Sequence, residues 1–202
     1  VNMAAMQFVQ NFRMAVNPQV VKKYAAGDHA GSKRLLLDST KFSFYLILLL
    51  GLPVILLAED LLQLWLGQVP EYSVVFLQLM IVQSLFTVFD QSFLVPLQAV
   101  GRLKENALTS PIVGIVKFSI VYVLFKAGFS PVALSYAGVL SMTVIGVIIK
   151  PFIVCRVVKY DLRDMLNVFV PCLKVCVASM PIPVLVNHYW GKGMSGLVGV
   201  SL

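Results

Sequence analysis

The chain has 202 residues, of which 59% are hydrophobic and 12% are charged, and its formal net charge is +7. Soluble domains carry about 25% charged residues, so this composition argues against a soluble globular protein. The three cysteines lie in or beside apolar segments, which indicates small core residues rather than disulfides or a metal site.

Five long segments contain at most one residue of the Lys, Arg, Asp and Glu types each: 42–58, 72–101, 106–125, 127–149 and 165–191. A helix needs about 20 mostly apolar residues to cross the hydrocarbon core of a bilayer. The sequence therefore predicts an all-α fold, a polytopic transmembrane helical bundle that forms one domain over 1–202.

In chain order, we predict helices over about 1–26, 36–58, 72–100, 106–126, 130–157 and 165–187, with a partial seventh span over 193–202. The short connections predict that consecutive helices are antiparallel neighbours. Between the second and third helices, EDLLQLWLGQVPEYS predicts a short interfacial helix anchored by aromatic side chains. Both ends are apolar and no signal peptide opens the chain, so we expect a fragment of a longer protein.

The basic residues alternate between the two sides of the predicted bundle. Eleven Lys and Arg fall on the side that carries the connections after the first, third and fifth helices, and two fall on the other side. Membrane proteins keep an excess of Lys and Arg in their cytoplasmic loops. The count predicts that loops 27–35, 101–105 and 158–164 are cytoplasmic.

Two function classes find little support in these residues. The basic residues are spread over three loops without interleaved aromatic residues, which argues against nucleic-acid binding and favours contact with membrane lipids. His29 and His188 lie on opposite predicted sides, and no HExxH, GxSxG, Walker or GxGxxG pattern is present. We expect neither an enzyme nor a cofactor.

Four charged residues inside predicted helices are the candidates for a substrate or cavity site: Arg13, Asp90, Lys117 and Lys174. Charges inside a membrane are costly and usually face a partner or a wet cavity. Asp90 and Lys117 are equally distant from the turn at 101–105, so we expect either an ion pair or a shared polar cavity. Arg13 either extends to the lipid headgroups or faces inward toward an anion. Lys174 ranks below the other three, because its helix could be peripheral.

Three segments, in this order, carry a family resemblance: NPQVVKKYAAGDHAGSKRLL, LLQLWLGQVPEYSVVFLQL and PLQAVGRLKEN. The series resembles the Wzx-type polysaccharide flippases of the MOP superfamily, which also contains the MATE drug antiporters and the lipid II flippases. The resemblance covers about 1–165 and implies the C-terminal half of a flippase with twelve or fourteen helices. Such a protein lies in the bacterial inner membrane and has a cationic central cavity.

The resemblance implies translocation of a polyprenyl-pyrophosphate-linked oligosaccharide for surface polysaccharide or O-antigen synthesis. Arg13 and Lys117 have the charge that such an anionic headgroup requires. H⁺ or Na⁺ would be the coupling ion, with Asp90 as the carboxylate that binds it, and the polysaccharide assembly machinery is a further expected partner. Two alternatives stay open: a MATE-like cation-coupled drug exporter and a membrane-bound glycan-processing enzyme.

Overall fold

The structure, a computed structural model, describes residues 2–179. In that range it contains helices and no strand, which confirms the all-α prediction. The helices are α1 Asn2–Ala25, α2 His29–Leu56, α3 Ala58–Leu66, α4 Ser73–Val100, α5 Lys104–Lys126, α6 Ala133–Thr143, α7 Lys150–Val158, α8 Leu162–Leu166 and α9 Phe169–Ser179. A π-helical turn, Val144–Ile149, joins α6 to α7, so the three segments form one continuous rod.

Four rods are long and apolar enough to cross a membrane: α2, α4, α5 from Asn106, and the continuous rod Ala133–Val158. They correspond to the second to fifth predicted helices. With 24 residues α1 has the length of a membrane span, but it is not apolar enough to count with these four. The predicted helix over 165–187 is broken between α8 and α9, and the residues after 179, with the predicted seventh span, lie outside the described range.

The second helix begins seven residues earlier than the sequence predicted, at His29 rather than 36. Gly27 adopts a left-handed conformation, which ends α1, and Asp28 then caps α2 by accepting a hydrogen bond from Gly31 N at 2.8 Å. This bond, aided by Lys23, lowers the pKa of Asp28. The predicted loop over 27–35 is therefore a tight turn, and the basic residues after it extend from the first turns of α2.

The core of the bundle forms around α4. This helix packs against α1, α2, α6, α7 and the π-helical turn. Phe89 lies at the centre of an aromatic cluster, with ring centroids 5.3 Å from Phe44 of α2 and 4.5 Å from Phe169 of α9. Aromatic contacts of this kind stabilise a packed interior beyond the area that they bury. Because α4 is central, polar residues in its middle turns are buried against other helices, as Ser84 and Ser92 are.

The α5 helix does not pack along α4, although the two are consecutive in the chain. It lies mainly on α6, with a smaller contact to α7. Its outer surface is apolar, and Leu108, Ile112, Ile115 and Phe118 are all exposed. The prediction that consecutive helices are antiparallel neighbours is wrong for this pair, because the α6–α7 rod occupies the place beside α4.

The short helix α3 agrees with the helix predicted in EDLLQLWLGQVPEYS. Its first turn carries Glu59 and Asp60, which suits the positive end of a helix dipole. Leu64 and Trp65 are among the most exposed apolar side chains of the described residues. Exposed apolar residues on a short amphipathic helix are typical of an element that lies in a membrane interface.

Candidate functional site

Polar side chains from four helices meet inside the bundle. Arg13 comes from α1, Asp90 from α4, Asn106 from α5 and Lys150 from α7; these four residues are called the central cluster below. Beside them, Gln10 of α1 donates a hydrogen bond to Gln91 of α4 at 2.7 Å. Two of the four candidate residues from the sequence, Arg13 and Asp90, are thus brought together.

Lys150 is the partner of Asp90. Its Nζ lies 3.0 Å from Asp90 Oδ1 and also donates a hydrogen bond to Asn106 Oδ1. Only 2% of the Lys150 side chain is exposed, against 27% of the Asp90 side chain. Asp90 Oδ1 accepts no well-aligned hydrogen bond among the described residues, so the contact is mainly an attraction between opposite charges.

The predicted ion pair between Asp90 and Lys117 is therefore not formed in this structure. The prediction placed the two residues at equal depth in a hairpin of α4 and α5. Those helices do not pack together along their length, and the α6–α7 rod brings Lys150 to Asp90 instead. The alternative version, in which Asp90 and Lys117 line one polar cavity, stays a prediction.

Arg13 faces inward, as one of its two predicted orientations requires. The residue is 4% exposed, and Nη1 donates a hydrogen bond to the backbone oxygen of Val88 at 3.2 Å. The guanidinium also interacts electrostatically with Asp90. The three charged residues lie well inside their helices, counted from the helix end that is next to a basic turn. The separation is twelve residues for Arg13, ten for Asp90 and eight for Lys150. At 1.5 Å per residue they lie about 12 to 18 Å inside those ends.

The π-helical turn positions Lys150. The N–H of Lys150 donates to the oxygen of Ile145, five residues back, and Pro151 has no N–H with which to continue a regular ladder. Gly146 lies directly against α4, since a Cβ atom there would be 2.9 Å from the backbone oxygen of Phe86. A π-helical insertion shifts the side chains that follow it and often occurs at functional sites. Here it aligns Lys150 with Asp90.

The central cluster has an excess of positive charge. Among its described residues there are two cations, Arg13 and Lys150, and one carboxylate, Asp90. Burying charge without compensation is expensive, and the compensation from one carboxylate is incomplete. The arrangement is therefore suited to accept an additional anion.

The other two candidates lie elsewhere. Lys117 of α5 is half-buried and lines a separate cavity between α5 and α6. Lys174 is exposed on α9, and its side chain makes neither an ion pair nor a hydrogen bond with the residues from 2 to 179. Neither lysine contributes a polar contact to the central cluster.

Lys150 and Asn106 are the functional candidates that the sequence did not single out. Lys150 is one of the eleven basic residues on the side that the sequence predicts to be cytoplasmic. Its own position could have revealed it, because it lies inside the predicted helix over 130–157 and eight residues before the observed end at Val158. Asn106 carries no charge and lies at the start of α5, so no comparable signal was available.

Comparison of the chain with protein-family models, with curated proteins and with solved structures gave no match, so the family resemblance seen in the sequence stays a prediction.

Proposed function

We propose that this chain is part of a flippase that moves a polyprenyl-pyrophosphate-linked oligosaccharide across the bacterial inner membrane for surface polysaccharide synthesis. The observation that carries the proposal is the central cluster, which places two buried cations and one carboxylate among membrane-length helices. The resemblance of three sequence segments to Wzx-type flippases supports the same function.

In the proposed mechanism, Arg13 and Lys150 bind the anionic headgroup. A guanidinium can contact two phosphate oxygens at once, whereas an ammonium acts as a point charge. Asp90 neutralises part of this charge when no substrate is present. When the headgroup binds, its phosphate oxygens compete with Asp90 for Lys150 and compensate the positive charge that Asp90 alone leaves.

Asp90 is also the residue that we assign to ion coupling. A proton on this carboxylate would remove the attraction that holds Lys150 and would leave the lysine available to the substrate. The proposed orientation places the basic turns in the cytoplasm, as the distribution of Lys and Arg favours. The headgroup would then enter from the side on which it is synthesised.

The test is transport by the full-length protein in liposomes, with a fluorescent polyprenyl-pyrophosphate oligosaccharide as substrate. We expect Lys150→Met and Arg13→Gln each to reduce the flipping rate at least about tenfold, since each removes one charge-assisted contact worth roughly 1.5 to 3 kcal/mol. The matched control is Lys126→Met, which removes an exposed lysine at the end of α5. Wild-type rates for both cluster variants, at normal insertion, would refute the proposal.

A further inference from the structure

The π-helical turn Val144–Ile149 comes directly before a cation of the central cluster. Such a turn holds one residue more than the α-helical turn that it replaces, so the side chains after it are rotated by about 100° around the helix axis. Lys150 therefore occupies the place that residue 149 would occupy in an unbroken α-helix. Its contact with Asp90 depends on this register, which means on the residue that the rod places opposite Asp90.

The rod is fixed on both sides of the π-helical turn. Before it, Ala137 and Gly138 of α6 are buried, and after it, Val154 and Val158 of α7 are buried in the core. A rotation of the whole rod would pull these residues out of their contacts. A change of register is therefore confined to the residues between them.

The backbone next to Lys150 makes such a change less costly. The N–H of Lys150 donates to the oxygen of Ile145, and the following residue, Pro151, has no N–H. The hydrogen-bond ladder has a gap at Pro151 whether the turn around it is α-helical or π-helical. A π-helical turn that moves past this position breaks and re-forms fewer hydrogen bonds than it would in a helix without proline.

The contact of Lys150 with Asp90 does not lock the register. Nζ lies 3.0 Å from Asp90 Oδ1, but this oxygen accepts no well-aligned hydrogen bond among the described residues. The contact therefore depends on the charge of Asp90, to which Arg13 is also attracted. If the π-helical turn followed Lys150, the apolar Ile149 would take the place opposite Asp90. That arrangement suits a neutral carboxyl group and not a carboxylate.

We infer that the π-helical turn is a register switch. While Asp90 is charged, the turn precedes Lys150 and holds the ammonium group on the carboxylate. When Asp90 loses its charge, the turn moves past Lys150, which rotates away by about 100° and is replaced by Ile149. Helix register shifts occur in proteins within microseconds to milliseconds. The role of the switch in transport rests on the proposed function, whereas the two registers belong to the protein without substrate.

The experiment moves the lysine by one residue and measures the thermal unfolding midpoint of the purified full-length protein in detergent. Lys150→Ile alone should lower the midpoint, because Asp90 loses its partner. Adding Ile149→Lys should restore most of this loss, since a shifted turn places residue 149 opposite Asp90. Adding Ile148→Lys instead is the matched control and should restore nothing, because neither register places that residue opposite Asp90. Absence of recovery with Ile149→Lys would overturn the inference.

Deletion of Ile148 tests whether the extra residue is the cause of the recovery. Ile148 is exposed, so its removal costs little packing and leaves a regular α-helix with Lys150 still opposite Asp90. In this background, Ile149→Lys should no longer compensate for Lys150→Ile. Equal recovery in the deletion background would show that a flexible lysine reaches Asp90 without any shift of the turn, and would overturn the inference.

Cross-linking protects the test against misfolding of the deletion variant. In the full-length protein without its native cysteines, Asp90→Cys is combined with Lys150→Cys or with Ile149→Cys and treated with a short bifunctional thiol reagent. Asp90→Cys also removes the charge that favours the present register. Two registers predict that both pairs cross-link, whereas cross-linking of the Lys150→Cys pair alone would contradict the switch.

Transport distinguishes failure of the switch from failure of the proposed function. The unfolding and cross-linking measurements need no substrate, so they hold even if the wild type flips no lipid-linked oligosaccharide. If the wild type is active, we expect deletion of Ile148 to abolish flipping, because Lys150 can then no longer rotate away from Asp90. Flipping at the wild-type rate by the folded deletion variant would refute the switch and leave the proposed function intact.

Discussion

At the scale of single residues, the pair formed by Asp90 and Lys150 determines how the central cluster responds to mutation. Lys150→Met removes the cation but leaves the carboxylate of Asp90 inside the bundle. Breaking a fully buried pair costs about 3 to 5 kcal/mol, and the 27% exposure of Asp90 reduces this cost. We expect the free energy of unfolding to fall by about 2 to 3 kcal/mol, measured by detergent denaturation of the full-length protein.

The double variant Lys150→Met with Asp90→Asn separates this explanation from a loss of packing. Without either charge, part of the lost stability should return, and the return is incomplete because Arg13 then loses the attraction of Asp90. The matched control is Lys41→Met, because Lys41 is 32% exposed and pairs with Asp38 within the same helix at 3.2 Å. Its loss should cost less than about 0.5 kcal/mol. A double variant as unstable as Lys150→Met would show that the charges are not the cause.

At the scale of helices, the contact of the π-helical turn with α4 depends on glycine, which has no side chain, at position 146. In Gly146→Ala, the new methyl group would meet the backbone oxygen of Phe86 at 2.9 Å, and a backbone atom in a packed helix has little room to move. We expect a loss of about 1 to 3 kcal/mol in the free energy of unfolding. Because Lys150 follows this turn, flipping of the lipid-linked oligosaccharide should also be slower.

Gly114 of α5 provides the control for this change. It is also a helical glycine, and a Cβ atom there would have nothing within 4 Å. Gly114→Ala should therefore be neutral or should stabilise the protein by up to about 1 kcal/mol, as alanine does in helices generally. If Gly146→Ala lowered the free energy of unfolding no more than Gly114→Ala does, this result would contradict the close packing of the turn on α4.

The helices themselves were largely predictable from the sequence, and their neighbours were not. Long segments with few charges identify helices of membrane length, and the four rods that are long and apolar enough to span a membrane lie where those segments predict. Which helices become neighbours depends on the shapes of their side chains, and hydropathy does not describe shape. Gly146 is an example, because it packs against α4 only by having no side chain. For this reason the sequence identified Asp90 and Arg13 as charges within helices, but it left the orientation of Arg13 open, and the ion pair of Asp90 with Lys117, one of its two alternatives, is not formed.

At the scale of the whole molecule, the distribution of charge between the two flanks predicts one orientation in the membrane. The turns at 26–28, 101–103 and 159–161 lie at one end of the helices, and the turns near 67–72 and 127–132 lie at the other. The depth assigned to the central cluster, and the side from which its substrate is proposed to enter, are meaningful only if the helices cross the membrane with this alternation.

The direct test is labelling of single cysteines in intact cells with a membrane-impermeant maleimide, after Cys155, Cys172 and Cys176 have been replaced by alanine in the full-length protein. The introduced cysteines would be Leu64→Cys and Phe129→Cys on one flank, and Lys23→Cys, Leu103→Cys and Leu162→Cys on the other, all at exposed positions. We expect the first two to react in intact cells and the last three to react only after permeabilisation. Labelling of Lys23→Cys and Leu162→Cys on opposite faces of the membrane would contradict the predicted orientation and the function proposed for the central cluster.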